Sequence, residues 1–218
     1  MECHLLRFLG RHRRLLDDRV CAAIGTERVV WLVQPFDAPR AWGDGEWQGR
    51  DFLPKDSTAR TAWTGLWPPR GSQPTWDAIG HATHDGVEEW LLVEAKANLE
   101  DLRSSCRASP QGGRPMIERA LDRVKRELGV PHDRDWLTGH YQLCNRVAVF
   151  HALMEHGVAA RLLFIHFVSD RGGPGRTCPG SAAEWAEALA AQDAHVGLPA
   201  GHPLDDRIHR LFLEVAPR

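Results

Sequence analysis

Two apolar runs joined by His84-Asp85-Gly86 constrain the fold of this chain most. The segment reads QPTWDAIGHATHDGVEEWLLVEAKAN. Asp-Gly between strand-like runs is a strong hairpin signal, because both central residues of the favoured two-residue turn take positive φ. The runs Thr75 to Thr83 and Val87 to Ala97 are therefore predicted to pair as strands. Side chains alternate along a strand, which puts Trp90, Leu92, Glu94 and Lys96 on one face and Leu91, Val93 and Ala95 on the other. An acid and a lysine thus project together from an apolar strand, where charge is costly unless paired or bound to a metal. Asp77, on the partner run, can bring a second carboxylate to the same place. Two carboxylates beside a lysine make a divalent-cation site with a built-in positive group, the equipment of metal-assisted phosphodiester hydrolysis.

Before the hairpin, Leu5, Leu9, Leu16, Val20 and Ala23 lie near helical spacing and predict one amphipathic helix, with Gly25 as its stop. Arg28 to Val33 reads as a strand. Residues 34 to 74 form an excursion rich in Gly, Pro and Trp, including Trp42, Trp47, Trp63 and Trp67. Periodicity disappears there, but a disordered linker would be poor in aromatics, so an ordered, irregular segment packed on the body is expected. After Lys96, Asn98 with Asp101 resembles a short helix start. Pro115 opens a helix ending at Gly129, and Trp136 to His156 is predicted as the next one. Arg161 to Ser169 is a buried strand. Ser181 with Glu184 forms a capping box for a further helix, and residues 209 to 215 are expected to add an edge strand. This order predicts a single α/β domain over residues 1 to 218, three-layered, with a mixed central sheet flanked by helices.

Composition narrows the partners only a little. A net charge of −2 does not advertise nucleic-acid binding, although a local basic groove matters more than the total. Cys3, Cys21, Cys106, Cys144 and Cys178 are scattered, which favours reduced thiols and a cytoplasmic setting. No apolar run reaches the length of a membrane span, so no membrane partner is expected.

The element order, with Asp77 inside Trp76-Asp77-Ala78-Ile79-Gly80 and then Glu94-Ala95-Lys96, resembles the PD-(D/E)XK nuclease superfamily. Trp76 stands where that family often has a proline. The chain is also similar to bacterial proteins carrying a WDAIG, LLVEAKA and YQLCNR pattern. The resemblance covers roughly residues 1 to 170. It implies a restriction-endonuclease-like fold in which Asp77, Glu94 and the carbonyl of Ala95 hold Mg²⁺, with Mn²⁺ as a substitute. It implies further that Lys96 orients the attacking water and offsets developing charge, and that Gln142, on the following helix, belongs to the site. The activity implied is phosphodiester hydrolysis in nucleic acid, DNA more than RNA. The alternative is a non-catalytic nucleic-acid-binding or assembly protein that retains the fold, with a homodimer or a helper protein conceivable in either case.

Gln142, Asn145 and Arg146 share one helical face, and Tyr141 adjoins them as a stacking or packing residue; Tyr141, Asn145 and Arg146 are candidates for nucleic-acid contacts. Arg103, Arg107 and Arg114 follow the Glu-x-Lys strand and are candidates for phosphate contacts, as are Arg171 and Arg176 in a Gly-rich loop. A further acid from the first helix, Asp17, Asp18 or Glu27, is a candidate for the metal. His81 and His84 alternate faces and do not make a metal pair. Cys144 falls in an apolar helix and reads as core.

Overall fold

The computed structural model describes residues 2–32, 47–71 and 73–216. Val33 of the predicted first strand and the opening part of the Trp-rich excursion, Trp42 included, lie outside the described residues.

The predicted hairpin is present. Strand β4 (Ala78–His84) pairs antiparallel with β5 (Val87–Lys96), Ala78 opposite Val93 and His84 opposite Val87. Asp85 and Gly86 have φ of 49° and 74°, as a turn whose twist matches the flanking strands requires. Strand β1 (Arg28–Trp31) extends the antiparallel side by pairing with β4. On the other side β6 (Ala160–Val168) runs parallel to β5, and β7 (Ile208–Glu214) runs parallel to β6 at the edge. The chain is thus α/β with a mixed five-stranded sheet, ordered β1-β4-β5-β6-β7. A second, two-stranded ribbon joins β2 (Trp47–Gln48) to β3 (Thr75–Trp76).

Alternation in β5 divides the core between the two faces. Leu91, Val93 and Ala95 pack with Leu163, Ile165 and Phe167 of β6 against α1 (Glu2–Gly10) and α2 (Arg13–Ile24). The single predicted helix is therefore two. The break falls at Gly10-Arg11-His12, where glycine lowers helix propensity, and both pieces still reach the same core through Leu5, Phe8, Leu16, Val20 and Ile24.

On the opposite face Ile79, Leu92, Leu162 and Phe164 meet α3 (Thr58–Leu66), α4 (Arg114–Glu127) and α5 (Tyr141–Glu155). α3 lies inside the excursion predicted to be irregular. Ser57 caps it by accepting from the Arg60 amide, and Ala59, Trp63 and Leu66 bury its inner face. α6 (Ala182–Val196) covers the same side of β6, with Trp185 fully buried and donating to the carbonyl of Phe167.

α5 starts five residues later than predicted. The Asp135 carboxylate accepts from the amides of Leu137 and Thr138, Gly139 takes φ of 74°, and the Trp136 indole donates to the Val196 carbonyl. Trp136 is therefore an anchor against α6, and the turn after it excludes a helix. Among the described residues no helix is long and apolar enough to cross a membrane.

Candidate active site

The last residues of β5 reach the end of the sheet where parallel β6 also finishes, with Lys96 opposite His166. Ligands commonly bind beyond the carboxyl ends of parallel strands. Glu94 is only 2% exposed there and Lys96 only 7%. Their burial is made tolerable by α5. Lys96 Nζ donates to Glu94 Oε1 at 2.5 Å and to Gln142 Oε1 at 2.8 Å, while Gln142 Nε2 donates to Glu94 Oε1 at 2.7 Å. Arg146, one helical turn beyond Gln142, donates through Nε to Glu94 Oε2 at 2.9 Å. The start of α5 is held by Ser104, whose hydroxyl accepts from the Gln142 amide at 2.7 Å.

Arg146 was predicted as a nucleic-acid contact. Its guanidinium is instead buried as the counter-ion of Glu94. It also donates to Asn145 Oδ1 and lies 5.2 Å from the centroid of Trp76, a cation–π geometry. Asn145, itself buried, thus supports Arg146 while lining the cleft described below.

Asp77 lies in a bend just before β4 rather than within a strand. Its amide donates to the Val93 carbonyl at 3.0 Å and its Oδ2 accepts from the Ala95 amide at 2.7 Å. Trp76 and Ile79, three apart, both face the core that contains Leu92, so alternation breaks at Asp77. The carboxylate takes the place of a ladder carbonyl in the sheet plane, because the Ala95 amide needs an acceptor. The two acids therefore flank Ala95, Asp77 through its amide and Glu94 as its neighbour in the chain.

Burial alone would raise the Glu94 carboxyl, but Arg146 and then Lys96 hold it below the ordinary carboxylate range. Glu89, at the other end of β5, is held down against burial by Arg207 and Arg161. A depressed folded pKa means that the unfolded chain binds more protons in acid. The stability from these groups is then complete above the unfolded carboxylate value of about 4.3 and is lost as pH falls through the depressed folded value. We expect the urea midpoint to fall below about pH 5, and Glu94→Gln to flatten that slope. An acid slope in Glu94→Gln equal to that of the wild type would contradict the assignment.

A cleft of about 460 Å³ opens beside this network, lined by Arg70, Gln73, Arg107, Tyr141, Gln142 and Arg146 among others. Of the predicted arginines, Arg107 therefore reaches the cleft. Arg103 is exposed after a short 3-10 turn, and Arg114 is engaged with Glu118 at 2.9 Å, so neither lines it. Arg176 pairs weakly with Asp101 at 3.4 Å. The acids of the first helical region do not join Glu94. Asp17 accepts from the Trp31 indole, Asp18 and Glu27 are exposed, and α2 packs against the opposite sheet face. Cys144 is core, and burial pushes its thiol up. Trp63, Trp67 and Trp76 are also buried in the core.

Sequence reasoning missed Thr75, whose Oγ1 lies 3.5 Å from Arg146 Nη2, and His166. His166 borders a void of about 10 Å³ together with Glu94, Lys96, Gln142 and Gln192, a volume at the lower limit for one water. Burial, with Arg210 and Lys96 nearby, pushes this imidazole down to about 3, so it is neutral. The only signal for it in the sequence was its position in the apolar run of β6.

Asp77, Glu94 and the Ala95 carbonyl are hard oxygen donors of the kind Mg²⁺ or Mn²⁺ prefers. A carboxylate offers about four lone-pair sites, and Glu94 uses three, on Lys96, Gln142 and Arg146, which leaves Oε2 able to take one more partner. The donor set therefore fits a divalent cation. Lys96 and Arg146 bring two positive charges to the Glu94 carboxylate.

No protein-family model, no curated protein and no solved structure matches this chain.

Proposed function

We propose that the chain is a metal-dependent nuclease of the PD-(D/E)XK type, with the restriction-endonuclease-like fold, hydrolysing DNA in preference to RNA. The observation that carries the reading is Gln142. It comes from α5, 46 residues beyond Lys96, and bonds both Lys96 and Glu94. Helices ahead of an antiparallel β1-β4-β5 meander, then helices and parallel β6, agree with the order expected of that fold.

Asp77, Glu94 and the Ala95 carbonyl would hold the cation. When bound it lowers the pKa of a water and offsets charge on the scissile phosphate. The chain's own groups supply positioning. Gln142, which lines the cleft, and Glu94 fix the Lys96 ammonium behind it, where it would orient water and balance charge that develops on phosphoryl oxygen. Donating to Glu94 and Gln142, Lys96 is assigned an orienting and electrostatic role and not that of the proton acceptor. Arg107 and Tyr141 line the cleft along which a strand would lie.

One observation favours a second reading, a non-catalytic nucleic-acid-binding protein. Arg146 adds a second positive charge to that of Lys96 at Glu94, which weakens the attraction of this carboxylate for a dication on its own. A phosphodiester adds one negative charge, so in an enzyme the cation and the substrate enter together. The test is incubation with mixed single- and double-stranded DNA and RNA in Mg²⁺ or Mn²⁺, with and without chelator. Cleavage that needs the metal and disappears in Asp77→Asn is expected. Retention of nucleic acid without any cleavage, indifferent to Asp77→Asn, would establish the second reading instead.

A further inference from the structure

A second cluster of ionisable groups lies at the far end of α5 from Gln142. Glu127 is the last residue of α4, and His151 and Glu155 stand four apart on one face of α5. Their ligand atoms all lie within 4.8 Å of one another. We propose that Glu127, His151 and Glu155 form a binding site for a borderline dication of the Zn²⁺ type, separate from the proposed nuclease centre.

His151 is the observation that points to a ligand. It is 7% exposed, and its Nδ1 is buried without a hydrogen-bond partner. That nitrogen faces Glu155 Oε2 at 3.5 Å and Glu127 Oε2 at 3.6 Å. Both distances exceed the hydrogen-bond range of about 2.7–3.2 Å. Leaving a ring nitrogen desolvated and unbonded is costly. The spacing suits a shared metal. Tetrahedral zinc with bonds of about 2.0–2.1 Å separates its ligands by about 3.3–3.4 Å. The two imidazole-to-carboxylate distances are within a few tenths of an ångström of that spacing.

Charge and helix geometry favour a cation at this position. Arg123 donates through Nε to Glu127 Oε1 at 2.8 Å and through Nη2 to both oxygens of Glu155, the Oε2 that faces the imidazole included, and so orients the two carboxylates. Two carboxylates converge on the imidazole and share a single guanidinium, Arg123. α4 ends at Glu127 and α5 at Glu155, so the negative ends of two helix dipoles meet here. The imidazole selects Zn²⁺ or Co²⁺ over Mg²⁺. The carboxylates are about one-third exposed, which gives the ion a route in and leaves a fourth position for water. Occupancy would clip the ends of α4 and α5 together.

The experiment uses the full chain, stripped with chelator and titrated with Co²⁺ and then Zn²⁺. One equivalent of Co²⁺ should give the visible bands of a tetrahedral ion, and Zn²⁺ should displace them. Zn²⁺ should also raise the melting temperature, as a ligand of the folded state does. His151→Ala should abolish the bands and weaken Zn²⁺ binding at least about tenfold. If that buried change prevents folding, Glu127→Gln, at the helix end, serves in its place with the same expected loss. Binding of equal affinity and stoichiometry in wild type and variant, or no tetrahedral cobalt spectrum in the wild type, would overturn the proposal. Neither result bears on cleavage at Glu94.

Discussion

Lys96→Met should lower the cleavage rate by about 10²–10³-fold, the usual cost of deleting one preorganised donor to developing charge. The ammonium is 7% exposed, in a setting of low polarity where a fixed positive charge acts strongly on a phosphoryl oxygen. Methionine keeps the apolar stem and its packing while removing only the charge and its two hydrogen bonds. Glu94 retains Gln142 and Arg146, so the fold should survive with a destabilisation of about 1–3 kcal/mol. Single-turnover assays on a labelled oligonucleotide separate the two effects. The loss should fall on kcat with little change in KM, the signature of an interaction that matters mainly in the transition state. A variant that cleaves at the wild-type rate would remove Lys96 from the mechanism. A rate that falls only in step with the folded fraction would make it structural.

The parts of the fold legible in the sequence were those fixed by local pattern. Asp85-Gly86 dictates its own turn, and two-residue alternation sorts Leu92 and Glu94 from Val93 and Ala95 without any knowledge of the partners. Ser181 and Glu184 announce α6 in the same local way. The errors arose where distant contacts overrule pattern. Trp136 looks like the first residue of a helix, but its indole is claimed by Val196, and Asp135 folds the backbone into a turn. α3 was hidden among glycines and prolines, although Ser57 as a cap and the spacing of Ala59, Trp63 and Leu66 would have revealed it.

The same division runs through the site. Glu94 and Lys96 could be paired in advance by strand parity, whereas Gln142 was joined to them only by what the family resemblance implies; helix spacing placed it on one face with Asn145 and Arg146. The position of Asp77 could not be read, since parity assumes an unbroken strand and the Ala95 amide draws its carboxylate into the sheet plane. For Arg146 the helical face was legible and the partner was not. Exposed arginines that bind phosphate and buried ones that neutralise an acid share the same spacing, and only the depth of α5 against the sheet tells them apart.

That depth makes Arg146→Met strongly destabilising, with an expected loss of about 3 kcal/mol in urea unfolding. Removing one partner of a buried pair leaves the other charge uncompensated. Lys96 still contacts Glu94, which keeps the loss at the lower end of the usual range. Glu94→Gln should cost a comparable amount, since Lys96 and Arg146 then face each other with no carboxylate between them. The double variant should lose less than the sum of the two singles, with a coupling of about 1–3 kcal/mol; strict additivity would mean that the ion pair contributes nothing. Arg146→Met also removes one of the two positive charges at Glu94. In the substrate-free protein it should therefore bind Mn²⁺ more tightly than the wild type, even as it unfolds more easily. Calorimetry at a temperature where both proteins are folded decides this. An unchanged Mn²⁺ affinity would show that Arg146 does not set the electrostatic balance at Glu94.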